Sequence, residues 1–341
     1  MSYQKILIIS LGNIANTVYT LPMASVLKGY NYSVEYVVCE KGFSVVNKNP
    51  KIDKVFLASM EQWSGKWLNP DTWEAFFKLV ERIKLREYDI VIDCQQDIRS
   101  LLVFALCNGK RKITYSDAKG FSSIGSNEVV DAKNQTGNIV ERNLNLLKHL
   151  GLDYSGIDFP MPNINYDIVL RNDKLFNSLD KSKKIVIIAA GARNENKRWA
   201  AANWIALINN IKNDYNLIFT GGIPDKFFVK EIGGDGYINL CGETRIESFM
   251  DVLKRADIVI TSETESAALA WAVQKPKVIT IFTCSSPIKY SPFDPLDKEK
   301  YISLYGNLPC QPCAAQMCLD DNPKCRKFPT VDDILRALKQ V

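Results

Sequence analysis

Four segments of the chain bring together glycine, hydroxyl, amide and charged residues in ways that suit a phosphate-bearing ligand. The first is Ser10-Leu11-Gly12-Asn13, directly after the apolar run Lys5–Ser10. A glycine there permits a tight turn and close ligand approach, and the N-terminus of a following helix favours an anion. An ordinary strand-to-helix turn would use the same residues. The spacing is not G-x-G-x-x-G, which disfavours dinucleotide-dependent hydride transfer. The second segment runs from Gly191 to Trp199 (GARNENKRW). Its adjacent cations, Lys197 and Arg198, can neutralise a diphosphate; a solvated basic loop is the alternative. The third, Thr220-Gly221-Gly222-Ile223-Pro224-Asp225, would let backbone approach a ligand at the two glycines while Asp225 accepts from a ribose hydroxyl. A plain turn explains it equally well. The fourth is Thr261-Ser262-Glu263-Thr264-Glu265-Ser266. Its hydroxyls and a helix start can hold phosphate oxygens, but Glu263 and Glu265 would repel a diphosphate unless they meet hydroxyls instead. Helix capping would also select Ser, Thr and Glu here.

A fifth group is Cys310, Cys313, Cys318 and Cys325, stiffened by Pro309, Pro312 and Pro323. The spacing reads as a tetrahedral thiolate knuckle for a structural zinc or iron, since four protein thiolates leave no open position. Two disulfides would need an oxidising compartment. The other cysteines (Cys39, Cys94, Cys107, Cys241, Cys284) sit in mostly apolar runs and read as small buried hydrophobes. The one histidine, His149, lies beside Leu146, Leu147 and Leu150 in a helical pattern. It reads as structural, and mechanisms built on a histidine base are disfavoured.

These segments recur at one kind of place, the end of an apolar run. Lys5–Ser10, Val34–Val38, Lys54–Leu57, Asp89–Asp93 and Lys112–Tyr115 read as strands. Asn16–Lys28, Asp71–Arg86 and Gly137–Leu150 read as the helices among them. Continuous apolar runs separated by helices predict a parallel sheet covered on both faces. The polar stretch Asp158–Asp173 reads as a linker. The rhythm then restarts with strands at Lys184–Ala189, Leu217–Thr220, Asp257–Thr261 and Lys277–Phe282, and helices at Ala200–Lys212 and Arg245–Lys254. A length of 341 residues also points to two domains. The expected division is 1–165 and 166–341, with a Cys-rich loop at 310–325 and a terminal helix returning to the first domain. Ligands bind such sheets at the carboxyl ends of the strands, so two facing sheets predict a cleft.

With 46% hydrophobic and 24% charged residues, the composition is that of a globular protein, and its net charge is +5. That mild excess suits phosphate-bearing ligands or an anionic membrane surface and is too weak to argue for nucleic acid. Arg99, Lys110 and Arg111 are candidates to meet a phosphorylated acceptor or the inner face of a membrane. No apolar run approaches the ~20 residues of a membrane span, and the first residues lack the pattern of a secretory signal. A cytoplasmic location is expected.

Several motifs fall in one order along the chain. They are KILIISLGNIANTVYTLPM, YDIVIDCQQDIRS, NIVERNLNLLKHLGL, GARNENKRWAAANW and ADIVITSETESAALAWAVQKP, followed by the cysteine cluster. With them the chain resembles glycosyltransferase family 9, the ADP-heptose:lipopolysaccharide heptosyltransferases; the KRW triplet and cysteine spacing look closest to the heptosyltransferase II branch. The resemblance implies an α/β GT-B fold, two Rossmann-like domains facing a central cleft. It implies an inverting transfer that needs no metal, from a nucleoside-diphosphate sugar such as ADP-heptose to a glycan, lipid-linked or protein acceptor. Lys197 matches the family lysine at the donor phosphates. The family aspartate thought to act as base falls on Asn13, and the family Asp-(Ser/Thr)-Gly falls on Glu263-Thr264-Glu265. The family histidine three residues beyond that glycine falls on Ala268. An asparagine cannot take a proton but can orient a hydroxyl. Glu263 and Asp97 are therefore the candidate substitute bases, and a catalytically degenerate partner or glycan-binding subunit is the alternative function.

Overall fold

The computed structural model describes residues 3–66, 68–117, 124–133, 137–233, 237–292, 299–313, 318, 320 and 323–341. The chain divides into two compact units, Met1–Asn163 and Ile164–Val341.

The first unit holds six parallel strands: β1 (Lys5–Ser10), β2 (Ser33–Cys39), β3 (Lys54–Ala58), β4 (Tyr88–Asp93), β5 (Gly109–Tyr115) and β6 (Glu128–Val130). Their order is β3-β2-β1-β4-β5-β6. The second unit repeats the plan with β7 (Lys184–Ala189), β8 (Tyr215–Phe219), β9 (Ile238–Asn239), β10 (Ile258–Ser262), β11 (Lys277–Phe282) and β12 (Tyr301–Tyr305), all parallel. Its order is β12-β11-β10-β7-β8-β9.

Continuous apolar strands arise because helices cover both faces of each sheet: Ile6 to Ile9 are wholly buried, as are Val186 to Ile188. In the first unit Phe76, Phe104 and Trp63 pack over Leu7, Ile9 and Val91. In the second, Trp199 meets Trp204 edge-on at 5.1 Å over Val186 and Ile188.

Each sheet has one point where the strand order reverses, between β1 and β4 and between β7 and β10. The connections after these paired strands leave in opposite directions, which opens a crevice at their carboxyl ends.

The elements differ from the pattern-based expectation in a few places. The stretch 16–28 forms two helices, Ile14–Val18 and Leu21–Gly29, because Pro22 lacks the N–H needed to continue the first and starts the second. Much of the expected linker is the helix Tyr166–Asn177, capped by Asn165 and anchored by buried Asn172 and Phe176. Strands β6 and β9 are short edge strands of three and two residues, too short for a pattern to mark them, and β12 is the other edge of the second sheet. The apolar stripe of the terminal helix Val331–Gln340 (Ile334, Ala337, Leu338) belongs to the second unit's core with Leu207 and Ile281.

Candidate active site

In the second unit the reversal lies between the turn after β7 and the turn after β10, and two ion pairs span it. Lys197 Nζ contacts Glu263 Oε2, and Arg193 Nη2 contacts Glu265 Oε1. The two pairs differ in depth. The Glu263 side chain is 7% exposed and also accepts from Ser285 Oγ at 2.7 Å, whereas Arg193 is 65% exposed. A rim pair of the second kind contributes ~0–1 kcal/mol. Lys197 and Glu263 act in a lower effective dielectric, where loss of one partner strands the other.

The turn carrying Lys197 is fixed from several sides. Asn194 caps the short 3-10 turn Glu195–Lys197 through Asn196 N. Thr283 Oγ1 donates to Asn196 O at 2.5 Å, and Ala200 N donates to Arg326 O at 2.8 Å. Trp199 is fully buried and donates from Nε1 to Pro329 O at 2.7 Å.

The neighbouring turn after β8 is organised by Asp225. Its Oδ2 accepts from Gly222 N at 2.9 Å, and Oδ1 lies 3.4 Å from Arg198 Nη2. Arg198 also donates from Nε to Ala192 O at 2.8 Å and lies over Phe228. A Cβ on Gly191 would stand 2.2 Å from Asp225 Cγ, and one on Gly221 would stand 2.9 Å from Asp225 Oδ2. The glycines here make room for a carboxylate of the protein itself. Arg198 and Asp225 thus tie the β7 and β8 turns together, while Lys197 and Arg193 face the crevice. Thr264 caps the helix Glu265–Ala272 by accepting from Ser266 N.

The first unit's crevice is lined mainly by amides. Asn13 caps the short helix after β1, its Oδ1 accepting from Asn16 N at 2.9 Å. Asn16 Nδ2 lies 3.4 Å from Gln95 Oε1, bridging the turns after β1 and β4. Gln95 Nε2 donates to Asp97 Oδ2 at 2.9 Å. Gly12 fits among them, for a Cβ there would stand 2.3 Å from Asn16 Nδ2 and 2.4 Å from Gln95 Oε1. Asp97 is committed elsewhere: it caps the helix Ile98–Leu106 and pairs with Arg99. Burial alone would raise its pKa, but hydrogen bonds from Arg99 and Gln95 outweigh that and hold it below the usual value. Beneath them Asp93 is wholly buried at the end of β4. Burial pushes its carboxyl up to about 6 against hydrogen bonds from Gln96 N, Ser100 Oγ and Gln95 N. Gln96 takes φ 56°, the left-handed backbone that this tight turn demands.

The model of glycosyltransferase family 9 (heptosyltransferase) matches residues 76–323. The chain belongs to glycosyltransferase family 9. Lipopolysaccharide heptosyltransferase 3 of Escherichia coli is 22% identical over 290 residues, covering 80% of this chain and 82% of that protein. Two solved structures share the fold. The family 9 glycosyl transferase of Veillonella parvula superposes with a TM-score of 0.83 at 16% identity, covering 99% of this chain and 97% of the other. E. coli heptosyltransferase WaaC with ADP gives 0.77 at 17% identity, covering 99% of each chain. This family 9 chain is therefore a heptosyltransferase-like glycosyltransferase with an α/β GT-B-like fold.

The charged crevice of this glycosyltransferase includes a side chain that its sequence does not single out. Arg193 was overlooked beside the KRW triplet; its signal was a cation placed to meet the unusual Glu265. Lys110 and Arg111, candidates to meet a phosphorylated acceptor or a membrane surface, lie at the opposite end of the sheet from the crevice. They begin β5, pair with Asp89 and Glu128, and lie level with residues 89–90 of β4, roughly 10 Å short of its carboxyl end at a rise of ~3.3 Å per residue. Arg99 alone of that trio lies beside the crevice residues.

The four cysteines of the expected metal knuckle lie partly within a loop of which only residues 310–313, 318, 320 and 323–325 are described. Among the described residues no group of three His, Cys, Asp or Glu side chains is placed to hold a metal ion. Burial lifts the Cys325 thiol to about 11, and the neighbouring Cys284, Cys313, Cys310 and Cys318 add to the effect. The segment braces the Lys197 turn. Cys313 N donates to Cys284 O at 2.8 Å, Gln311 Nε2 contacts Thr283 O, and Arg326 Nε reaches Arg198 O at 3.2 Å. Among the described residues no helix is long and apolar enough to cross a membrane.

Proposed function

We propose that this protein transfers a heptose or related sugar, with inversion, from a nucleoside diphosphate sugar of the ADP-heptose class to a hydroxyl of a lipopolysaccharide precursor or similar cell-surface glycan. The carrying observation is the pair of cations, Lys197 and Arg193, at the β7/β10 reversal of a family 9 glycosyltransferase. Charge builds on the departing diphosphate as the glycosidic bond breaks, and fixed cations there lower the barrier more than they tighten the ground state. Glu263, held by Ser285, positions Lys197 and does not serve as the base. Asn13 has its oxygen in a helix cap and, among the described residues, no hydrogen bond engages its Nδ2, which orients the acceptor hydroxyl. The relatives' names support the donor and acceptor class: one is a lipopolysaccharide heptosyltransferase, another was solved with ADP.

Calorimetric titration with ADP- and UDP-sugars tests this reading. ADP-sugar binding is expected, with sugar release or transfer followed by product analysis; absence of binding by every donor at millimolar concentration removes it. A second reading is favoured by one observation, the amide at the family's base position. In it the protein is a non-catalytic partner that binds nucleotide weakly or not at all and turns over no donor.

A further inference from the structure

We infer that Arg193 is a second diphosphate-binding residue and that Glu265 is its resident counter-ion, displaced when the donor enters; this rests on the proposed donor reading. Arg193 lies on the turn after β7, Glu265 is the first residue of the helix after β10, and the two side chains meet across the reversal point beside Lys197 and Glu263. Without ligand the crevice thus carries two cations and two carboxylates.

The two carboxylates are not equivalent. Glu263 is nearly buried and fixed by Ser285 as well as Lys197, so it stays. Glu265 meets a guanidinium that is 65% exposed, in a pair weak enough for a multivalent anion to replace. A diphosphate offers Arg193 two acceptor oxygens in the fork geometry a guanidinium prefers. Glu265 swings away from the incoming negative charge, and the crevice gains one net cation when the ligand needs it. The exchange sets selectivity: a diphosphate can outcompete the carboxylate, and a neutral sugar or a monoanion cannot.

The test is calorimetry with ADP, UDP and GDP on the intact chain and on Arg193→Met, Glu265→Gln, the double variant and Lys197→Ala. For the nucleotide that binds wild type, Arg193→Met should weaken affinity about tenfold and Glu265→Gln should tighten it about fivefold. In the Arg193→Met background most of the Glu265→Gln gain should vanish, since a counter-ion acts through its partner. The melting temperature without nucleotide should barely move, as the pair is exposed. If Arg193→Met binds within about twofold of wild type while Lys197→Ala loses binding, the donor site stands and Arg193 is not part of it. If Glu265→Gln weakens binding, Glu265 is itself a ligand contact and the exchange is wrong. If no nucleotide binds wild type or Glu265→Gln, the donor reading itself falls.

Discussion

The two halves of this protein share one plan and differ in what fills the reversal point of each sheet. In the first unit Asn13, Asn16 and Gln95 come together as amides, and the half-buried carboxylate beside them, Asp97, is spent on a helix cap and Arg99. In the second unit Lys197 and Arg193 meet Glu263 and Glu265. A neutral, hydrogen-bonding crevice orients hydroxyls; a crevice of paired charges can exchange an internal anion for an external one. One backbone plan thus carries two different side-chain sets, neutral amides in one half and paired charges in the other.

That contrast can be broken most strongly at Asn13. Asn13→Asp would place a proton acceptor in the first crevice while preserving the helix cap, since aspartate caps as well as asparagine. Turnover is expected to rise by about 10²-fold, the lower range of general-base contributions, with ADP affinity unchanged. A rise in ADP affinity instead would show that the first crevice also handles the donor.

Paired glycine replacements sharpen the division of labour. Gly191→Ala drives a methyl into the Asp225 carboxylate and should weaken ADP binding about tenfold by shifting the turn that carries Arg193 and Lys197. Gly12→Ala displaces Asn16 and Gln95 and should leave ADP affinity intact while lowering turnover. Equal effects of both on ADP affinity would contradict the assignment of roles.

The smallest effect on activity is expected beneath the first crevice. Asp93 has its pKa raised from 3.8 to about 6, because burial disfavours the carboxylate. Its stabilising contribution is complete below about pH 4 and is lost as pH rises through about 6. Asp93→Asn removes that loss, so at pH 8 urea unfolding should show the variant ~1–3 kcal/mol more stable than wild type, and at pH 4 no more stable. An unchanged pH slope of stability would mean that Asp93 is not the group responsible.

How much of this was legible beforehand follows from the range of each interaction. The central strands were readable because a parallel sheet buried on both faces needs unbroken apolar runs, as Lys5–Ser10 and Lys184–Ala189 have. Edge strands such as Ile238–Asn239 were not, since two residues leave no periodicity. Lys197 stood out through its motif. Arg193 did not, because its meaning depends on Glu265, 72 residues away in sequence and adjacent only after folding.

The cysteine-rich segment depends on the fold in a similar way: Gln311 and Arg326, on either side of its loop, brace Thr283 and Arg198. Gly221 reads as room for backbone to approach a ligand, and in the fold it and Gly191 also make room for Asp225. Sequence by itself determined the two-fold repetition of parallel α/β units and the family, because these rest on local periodicity and contiguous motifs. Only the tertiary structure decided which charges are spent on one another and which face the crevice, because that depends on residues brought together from strands far apart in the chain.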